Sequence, residues 1–394
     1  MLHAVEVKPG IYWVGGIDWN ERNFHGYTTD RGSTYNAYLI MDEHPTLIDT
    51  CKPGFADELI ERLSEIIDPS KIEYVVANHV EQDHSGALPA IHALAPDAKI
   101  YCSAPHGAKG LTAHYGDLGY VPVKTGDNLC IGRRTLQFTQ TVMVHWPDNM
   151  VTYCPEDRIL FSNDAFGQHF ASSKRFDDEV GLPEVLAQAK KYYANIVMPY
   201  SRHVVRALDA LGGLDIDMIA PSHGVIWRSH VAEILETYAR WSSLEPEDYA
   251  IVVYDSMWHT TETMAREIVE AFVECDVPAR LFDLKANHIS DIMTEMLSAK
   301  YVAVGSPTLN NGMMPTVAAF LCYLKGLSPK GGWAGRVGIP FGSYGWGTNG
   351  PDEVAAQLEA CGFEMPLGTL SHQWVEDEEH LGQLQDAIVR AVGR

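Results

Sequence analysis

The chain is short of positive charge, of paired cysteines and of long apolar runs. Lysine and arginine number 29 against 52 aspartates and glutamates, a formal net charge of −23. That balance excludes a protein that grips nucleic acid through basic neutralising patches, and it fits a well-solvated one. No apolar stretch reaches the ~18–20 residues of a membrane span. The opening Met1-Leu2-His3-Ala4-Val5-Glu6 lacks the basic start and apolar centre of a signal peptide. A soluble, cytoplasmic chain with no membrane association is expected. The seven cysteines are odd in number and include no C-x-x-C pair, which speaks against a disulfide framework and against cysteine-bound zinc or iron–sulfur sites. Buried free thiols in a reducing compartment are the expectation. A G-x-x-x-x-G-K-[ST] loop is missing too, so a nucleoside triphosphatase is not indicated.

What is present is enough chain for two domains, 394 residues with 46% apolar content. The polar, proline-containing stretch Ser242-Ser243-Leu244-Glu245-Pro246-Glu247-Asp248 reads as the linker, giving domains 1–246 and 247–394. After it, strands and helices alternate regularly. Strands are predicted at 250–254, 279–284, 301–305, 336–341 and near Glu364. Helices are predicted at 261–274, 289–297, 314–325, 351–361 and from Glu376. This is the rhythm of a doubly wound, five-stranded α/β domain. The first half is more mixed. It reads as a hairpin at 35–41 and 46–50, a helix at 55–67, a strand at 72–76 and a helix at 107–115. A strand at 135–144, a hairpin at 151–162, a helical region at 182–212 broken near Pro199, and a strand at 216–220 follow.

The densest chemistry lies in Ala77-Asn78-His79-Val80-Glu81-Gln82-Asp83-His84-Ser85-Gly86, directly after the 72–76 strand. His79, Glu81, Asp83 and His84 put four potential metal ligands into six positions, at the strand end where open α/β architectures keep their chemistry. Alternation along an extended loop would aim the first three one way and leave His84 free to turn toward a second point. Other predicted strands deliver His145, Asp164 and His223 in the same manner. So many imidazole and carboxylate stations in one half-chain indicate a metal centre.

In the second half, hydroxyl- and glycine-rich loops follow the first, third and fourth strands. The first runs through Ser256, Met257, Trp258, His259, Thr260 and Thr261. The second runs through Ser306, Pro307, Thr308, Leu309, Asn310, Asn311 and Gly312, and the third through Ser343, Tyr344, Gly345, Trp346 and Gly347. Backbone amides at a helix start, with nearby hydroxyls, can hold a phosphate without lysine or arginine. Trp258, Tyr344 and Trp346 offer flat faces to an aromatic ring. Three such loops on one face favour a flavin mononucleotide (FMN).

Taken together, these motifs resemble the flavodiiron proteins over essentially the full chain. His79, Glu81, Asp83 and His84 match the family's H-x-E-x-D-H. His145 in His-Trp-Pro-Asp, Asp164 in Ser-Asn-Asp and His223 in Ser-His-Gly match its later ligands. The resemblance implies a metallo-β-lactamase-like αββα sandwich followed by a flavodoxin-like parallel sheet. It implies FMN and two iron ions. Hydrolytic relatives of the lactamase fold usually carry histidine where this chain has Glu81, and a carboxylate there suits iron better than zinc. By similarity, His79, Glu81 and His145 hold the iron nearer the flavin, and Asp83, His84 and His223 the other, with Asp164 bridging. The position matching His84 does not coordinate in some members. Met257-Trp258-His259 stands where simple flavodoxins have a Thr/Gly-rich run, although the flavodiiron pattern accommodates it.

The implied activity is reduction of dioxygen to water, of nitric oxide to nitrous oxide, or both. Electrons would come from a rubredoxin or similar small donor, since no paired C-x-x-C marks a fused one. A head-to-tail homodimer, or a dimer of dimers, would bring one subunit's flavin to the other's irons. His25, Tyr27 and Tyr193 are candidates to donate a hydrogen bond or proton to bound substrate. Lys325, Lys330 and Arg336 are candidates for a donor-docking patch in an otherwise acidic chain. Two alternatives are a zinc hydrolase of the lactamase type and a non-catalytic electron shuttle.

Overall fold

The computed structural model describes residues 3–393, and they divide into two compact units. The first comprises residues 3–25, Thr29–Tyr193 and Arg202–Ser242. The second comprises Gly26–Thr28, Ala194–Ser201 and 243–393. Two short segments of the first half thus group with the second unit. There the Thr28 amide donates to Ser290 Oγ at 3.2 Å, Asn195 Nδ2 donates to the Ser290 carbonyl at 3.1 Å, and Tyr323 donates to Asn195 Oδ1 at 2.9 Å.

The first unit is built on two sheets. A seven-stranded sheet runs in the order Val5–Lys8, Ile11–Trp13, Tyr38–Ile40, Thr46–Ile48, Tyr74–Ala77, Lys99–Ser103, Tyr120–Val123. A five-stranded sheet runs Asn128–Cys130, Thr135–Gln140, Met150–Cys154, Ile159–Asn163, Met218–Pro221. Strand alternation sorts the side chains of the first sheet. Tyr38, Ile40, Ile48 and Val76 join Phe138, Met150, Phe161 and Ala220 of the second sheet in one buried cluster. Their neighbours Leu39, Leu47, Val75 and Ala77 point the other way, onto Leu59, Leu63, Ile91 and Leu111. Those last residues belong to helices Ala56–Ile66, Leu88–Leu94 and His106–Tyr115. The result is the lactamase-like sandwich, with apolar layers on both faces of the first sheet.

In the second unit a single sheet is parallel throughout, in the order Ala279–Asp283, Glu247–Tyr254, Ala299–Gly305, Val337–Tyr344, Leu370–Gln373. Numbered along the chain this is 2-1-3-4-5, the flavodoxin-like order. Tyr254 pairs with Gly305, and Gly305 with Phe341, so the carboxyl ends of the central strands lie level and their loops gather on one side. Gly342 (φ 156°) must be glycine, because a Cβ there would run into the Ser306 carbonyl.

Several boundaries depart from the sequence expectation. Gln82–Ser85 is a helical turn, not an extended loop. Ser85 Oγ donates to the carbonyls of Val80 (2.7 Å) and Glu81 (3.0 Å), and the Ser85 amide also donates to Glu81 O. These bonds wind the chain just where the period-two spacing of His79, Glu81 and Asp83 suggested an extended loop. The strand expected over 135–144 stops at Gln140, because the chain turns just beyond it: the Val144 amide donates to the Thr141 carbonyl and Met143 sits at positive φ. The strand expected near Glu364 is Leu370–Gln373; Glu364 makes only an isolated bridge to Val337.

Candidate functional site

Tyr74–Ala77 ends in Asn78, which is clamped on every polar atom. Its amide donates to Asp49 Oδ1 (2.7 Å) and its Nδ2 to Asp49 Oδ2 (3.0 Å). Its side-chain oxygen accepts from Thr152 Oγ1 (2.7 Å) and its carbonyl from the Met150 amide (3.1 Å). The two sheets are thereby tied together at the edge where the candidate ligands emerge. The following turn presents Glu81, Asp83 and His84. The 141–149 loop presents His145, and Asp164 and His223 follow the strands Ile159–Asn163 and Met218–Pro221. All seven are buried.

Their donor atoms form two groups that share Asp164. In the first, His79 Nε2 lies 3.2 Å from Glu81 Oε2 and 3.6 Å from Asp164 Oδ2. His145 Nε2 lies 3.5 Å and 3.3 Å from the same two oxygens. In the second, His223 Nε2 is 3.2 Å from Asp83 Oδ2 and 3.6 Å from Asp164 Oδ1. His84 Nε2 is 3.4 Å from Asp83 Oδ1 and 2.9 Å from Asp164 Oδ1. Asp164 thus turns one oxygen to each group.

Two of the imidazoles are held in the tautomer that such convergence needs. His223 Nδ1 donates to the Thr34 carbonyl (2.7 Å) and His79 Nδ1 to the Asp148 carboxylate (2.9 Å). Each therefore turns the lone pair of Nε2 inward. His25 Nε2 lies 2.6 Å from Glu81 Oε1, the oxygen facing away from the cluster. Burial alone would push Asp164 up; the imidazoles of His84, His145 and His79 outweigh it and hold the carboxyl well below the usual range. The Glu81 hydrogen bond pushes His25 up, against its partial burial.

The arrangement fits metal ions. Both oxygens of Asp83, both of Asp164 and both nitrogens of His84 make no hydrogen bond. The 2.9 Å approach of His84 to Asp164 has the wrong angle for one. Buried carboxylates and imidazoles that are close yet not bonded to each other are costly, unless they point at a shared cation. Each group offers two imidazoles and two carboxylates and no thiolate, a donor set that accepts iron.

Several neighbours were not singled out by the sequence reading. Asp148 lies in the quoted His-Trp-Pro-Asp motif, which was its only available signal. Buried His169 donates to or accepts from Ser33 Oγ at 2.6 Å, and its ring packs 4.5 Å from His223 and 4.4 Å from Phe24. Burial, helped by His223, pushes it well below the usual range, so it is neutral. Tyr193 is buried with its ring against Tyr238 and Trp241; the adjacent Tyr192 is the one whose ring lies against His169 and His223. Tyr27 is buried and groups with the second unit.

In the second unit, the gathered loops enclose a cleft of about 500 Å³. Met257, Trp258 and Thr260 line it from the first loop, and Pro307, Thr308, Asn310 and Asn311 from the second. Ser343 through Gly347 line it from the third, and Trp374, unforeseen, from a fourth. Trp258 and Trp346 are each 87% exposed, which is unusual for indoles and leaves flat walls for an aromatic ring. Helix Thr260–Glu274 starts at the cleft, so its free amides and dipole suit a phosphate. The other expected residues shape the loops without lining the cleft. Thr261 Oγ1 is bonded to Ser343 Oγ (2.9 Å), and Ser306 Oγ accepts from the Met314 amide (2.9 Å). Leu309 and Gly312 exchange backbone hydrogen bonds around Asn310 and Asn311, both at positive φ. Ser256 gives its carbonyl to Lys285, and His259 pairs with Glu262. Arg336 is no docking residue: it is buried, and its guanidinium donates to the carbonyls of Met296, Ala299, Leu297 and Leu244. Lys325 and Lys330 are exposed.

Comparison with known proteins agrees with this geometry. Residues 34–224 match the ODP family beta lactamase and residues 252–386 match Flavodoxin. The nitric oxide reductase of Moorella thermoacetica is 45% identical, over 97% of this chain and 96% of its own. The structure of rubredoxin oxygen:oxidoreductase from Desulfovibrio gigas superposes with a TM-score of 0.95 at 40% identity, covering 99% of this chain and 98% of that one. The flavodiiron protein from Giardia intestinalis gives 0.95 at 37% identity, covering 99% and 96%. No helix among the described residues is long and apolar enough to cross a membrane. The chain belongs to the flavodiiron protein family, oxidoreductases that reduce oxygen or nitric oxide.

Proposed function

We propose that the chain passes electrons from a rubredoxin-like donor through FMN, held by the 247–394 domain, to a di-iron centre in the 1–246 domain. There dioxygen is reduced to water or nitric oxide to nitrous oxide. The observation that carries this reading is Asp164, a buried carboxylate with one oxygen turned to each of two donor sets and no hydrogen bond of its own. His79, Glu81 and His145 would hold one iron, Asp83, His84 and His223 the other, and Asp164 would join them.

Iron held in this way supplies electrons and open coordination positions for a diatomic molecule. The chain's own residues do the rest. Asp148 keeps the His79 ring turned inward. His25, beside a cleft of about 540 Å³ lined by Glu21, Phe24, Lys52 and Gln82, holds a proton at Nε2 against Glu81 and would pass it to bound substrate. Tyr27 and Tyr193 are further candidate donors. Each site is built within one unit, which supports a head-to-tail homodimer in which one subunit's flavin serves its partner's irons. The donor's name in the Desulfovibrio gigas relative supports a rubredoxin, and free thiols support a reducing cytoplasm.

The test is anaerobic reduction of the full-length protein followed by exposure to dioxygen or nitric oxide. Rapid flavin reoxidation is expected, lost in Asp164→Ala with bound flavin retained. Hydrolysis of an ester or lactam by a zinc-loaded, flavin-free protein would overturn the reading.

A further inference from the structure

A third group of metal-binding side chains stands apart from the buried centre, in the flavodoxin unit: His372, Glu376 and His380. His372 lies on the strand Leu370–Gln373 and His380 on the helix Glu378–Val392, with Glu376 in the loop between them. His380 Nδ1 is 2.5 Å from Glu376 Oε2, and His372 Nδ1 is 4.0 Å from the same oxygen. The two rings pack with centroids 4.0 Å apart. The Glu376 side chain is only 4% exposed, and its Oε1 is buried with no hydrogen-bond partner. The imidazoles are partly open to solvent, so the group has a buried floor and an accessible mouth.

Tautomers sharpen the point. His372 Nε2 lies 3.1 Å from the Val375 carbonyl. A carbonyl only accepts, so in the neutral imidazole Nε2 carries the proton and the lone pair of Nδ1 faces the carboxylate. Two acceptors then confront each other, and the proton between His380 and Glu376 serves only one side of the trio. A cation would satisfy both nitrogens and the carboxylate together. Two imidazoles and one carboxylate form a set that zinc accepts while keeping a position open for water. The backbone carbonyl behind His372 is the outer partner that metal-bound histidines usually have.

We propose that His372, Glu376 and His380 bind one divalent cation of zinc's class beside the flavin cleft. Trp374 sits between the first two of these residues and lines that cleft. A bound cation would fasten the loop that carries this wall to the helix Glu378–Val392. Burial also pushes Glu376 up; a cation offsets that penalty by favouring the carboxylate form.

The test is equilibrium dialysis of the as-isolated full-length protein against zinc chloride, with metal quantified per chain. One zinc is expected beyond the metal already present. Glu376→Gln and His380→Ala should each weaken that equivalent at least about tenfold, while flavin content reports that the unit has folded. In the unmodified protein, zinc should also protect His372 and His380 from carbethoxylation. No added equivalent, affinity unchanged in both variants, or no protection of these two histidines would overturn the proposal.

Discussion

Asp148 Oδ2 lies 2.9 Å from His79 Nδ1, and the same oxygen accepts the Val80 amide at 2.8 Å. One carboxylate therefore fixes both the ring of the candidate ligand His79 and the backbone beside it. Outer partners of this kind are worth about 10–100-fold in metal affinity. Asp148→Asn should release iron to a chelator at a concentration lower by that factor, with flavin content unchanged. Equal retention in both proteins would remove Asp148 from the design.

His25 touches Glu81 through the oxygen that does not face the metal group. As a proton donor it should matter to turnover and little to assembly. His25→Gln is expected to keep its iron and flavin and to lose about 10²-fold or more in gas reduction, the lower range for general acids. Loss of iron with turnover per iron unchanged would make His25 a structural prop.

Asp177 is a structural counterpart, fully buried and outside the candidate metal cluster. Its two oxygens accept the amides of Arg228, Ser229 and His230 and face His230 Nδ1 at 2.8 Å. Asp177→Ala strands these donors and should cost about 2–4 kcal/mol, read from urea unfolding of the first unit. A change within the scatter of surface substitutions would show that water replaces the carboxylate.

Thiol chemistry separates the cysteines. Burial pushes Cys51, Cys102 and Cys154 up to about 12. The sign is that of a disfavoured anion, so at pH 8 the thiolate fraction is on the order of 10⁻⁴ and reaction is slow. Cys130 and Cys322 are exposed. Of the seven cysteines, these two are expected to react quickly with a disulfide reagent in the native protein, and all seven after unfolding. Rapid modification of a third native thiol would contradict the burial pattern.

The candidate site was legible where residues of metal-binding type are dense or sit at successive strand ends. His79, Glu81, Asp83 and His84 fall within one short stretch, and His145, Asp164 and His223 each follow a readable apolar run. Asp148 stands in the His-Trp-Pro-Asp motif, but its role depends on a partner 69 residues away, which no local pattern announces. His169 and Trp374 gave no local signal at all; only the fold brings them to the metal group and the flavin cleft. The second half was legible as a regular strand–helix alternation, but the last strand was placed too early. A short edge strand, Leu370–Gln373, has little apolar pattern to announce it. Arg336 misled because a basic residue beside glycines reads as surface, whereas here its guanidinium closes several buried carbonyls.

The most direct measurement is the iron and flavin content of the purified full-length protein. About two irons and one FMN per chain are expected, two irons because Asp164 faces two donor sets and one FMN because the three loops together enclose an aromatic-walled cleft. Zinc in the buried site with no flavin bound would contradict the central claim.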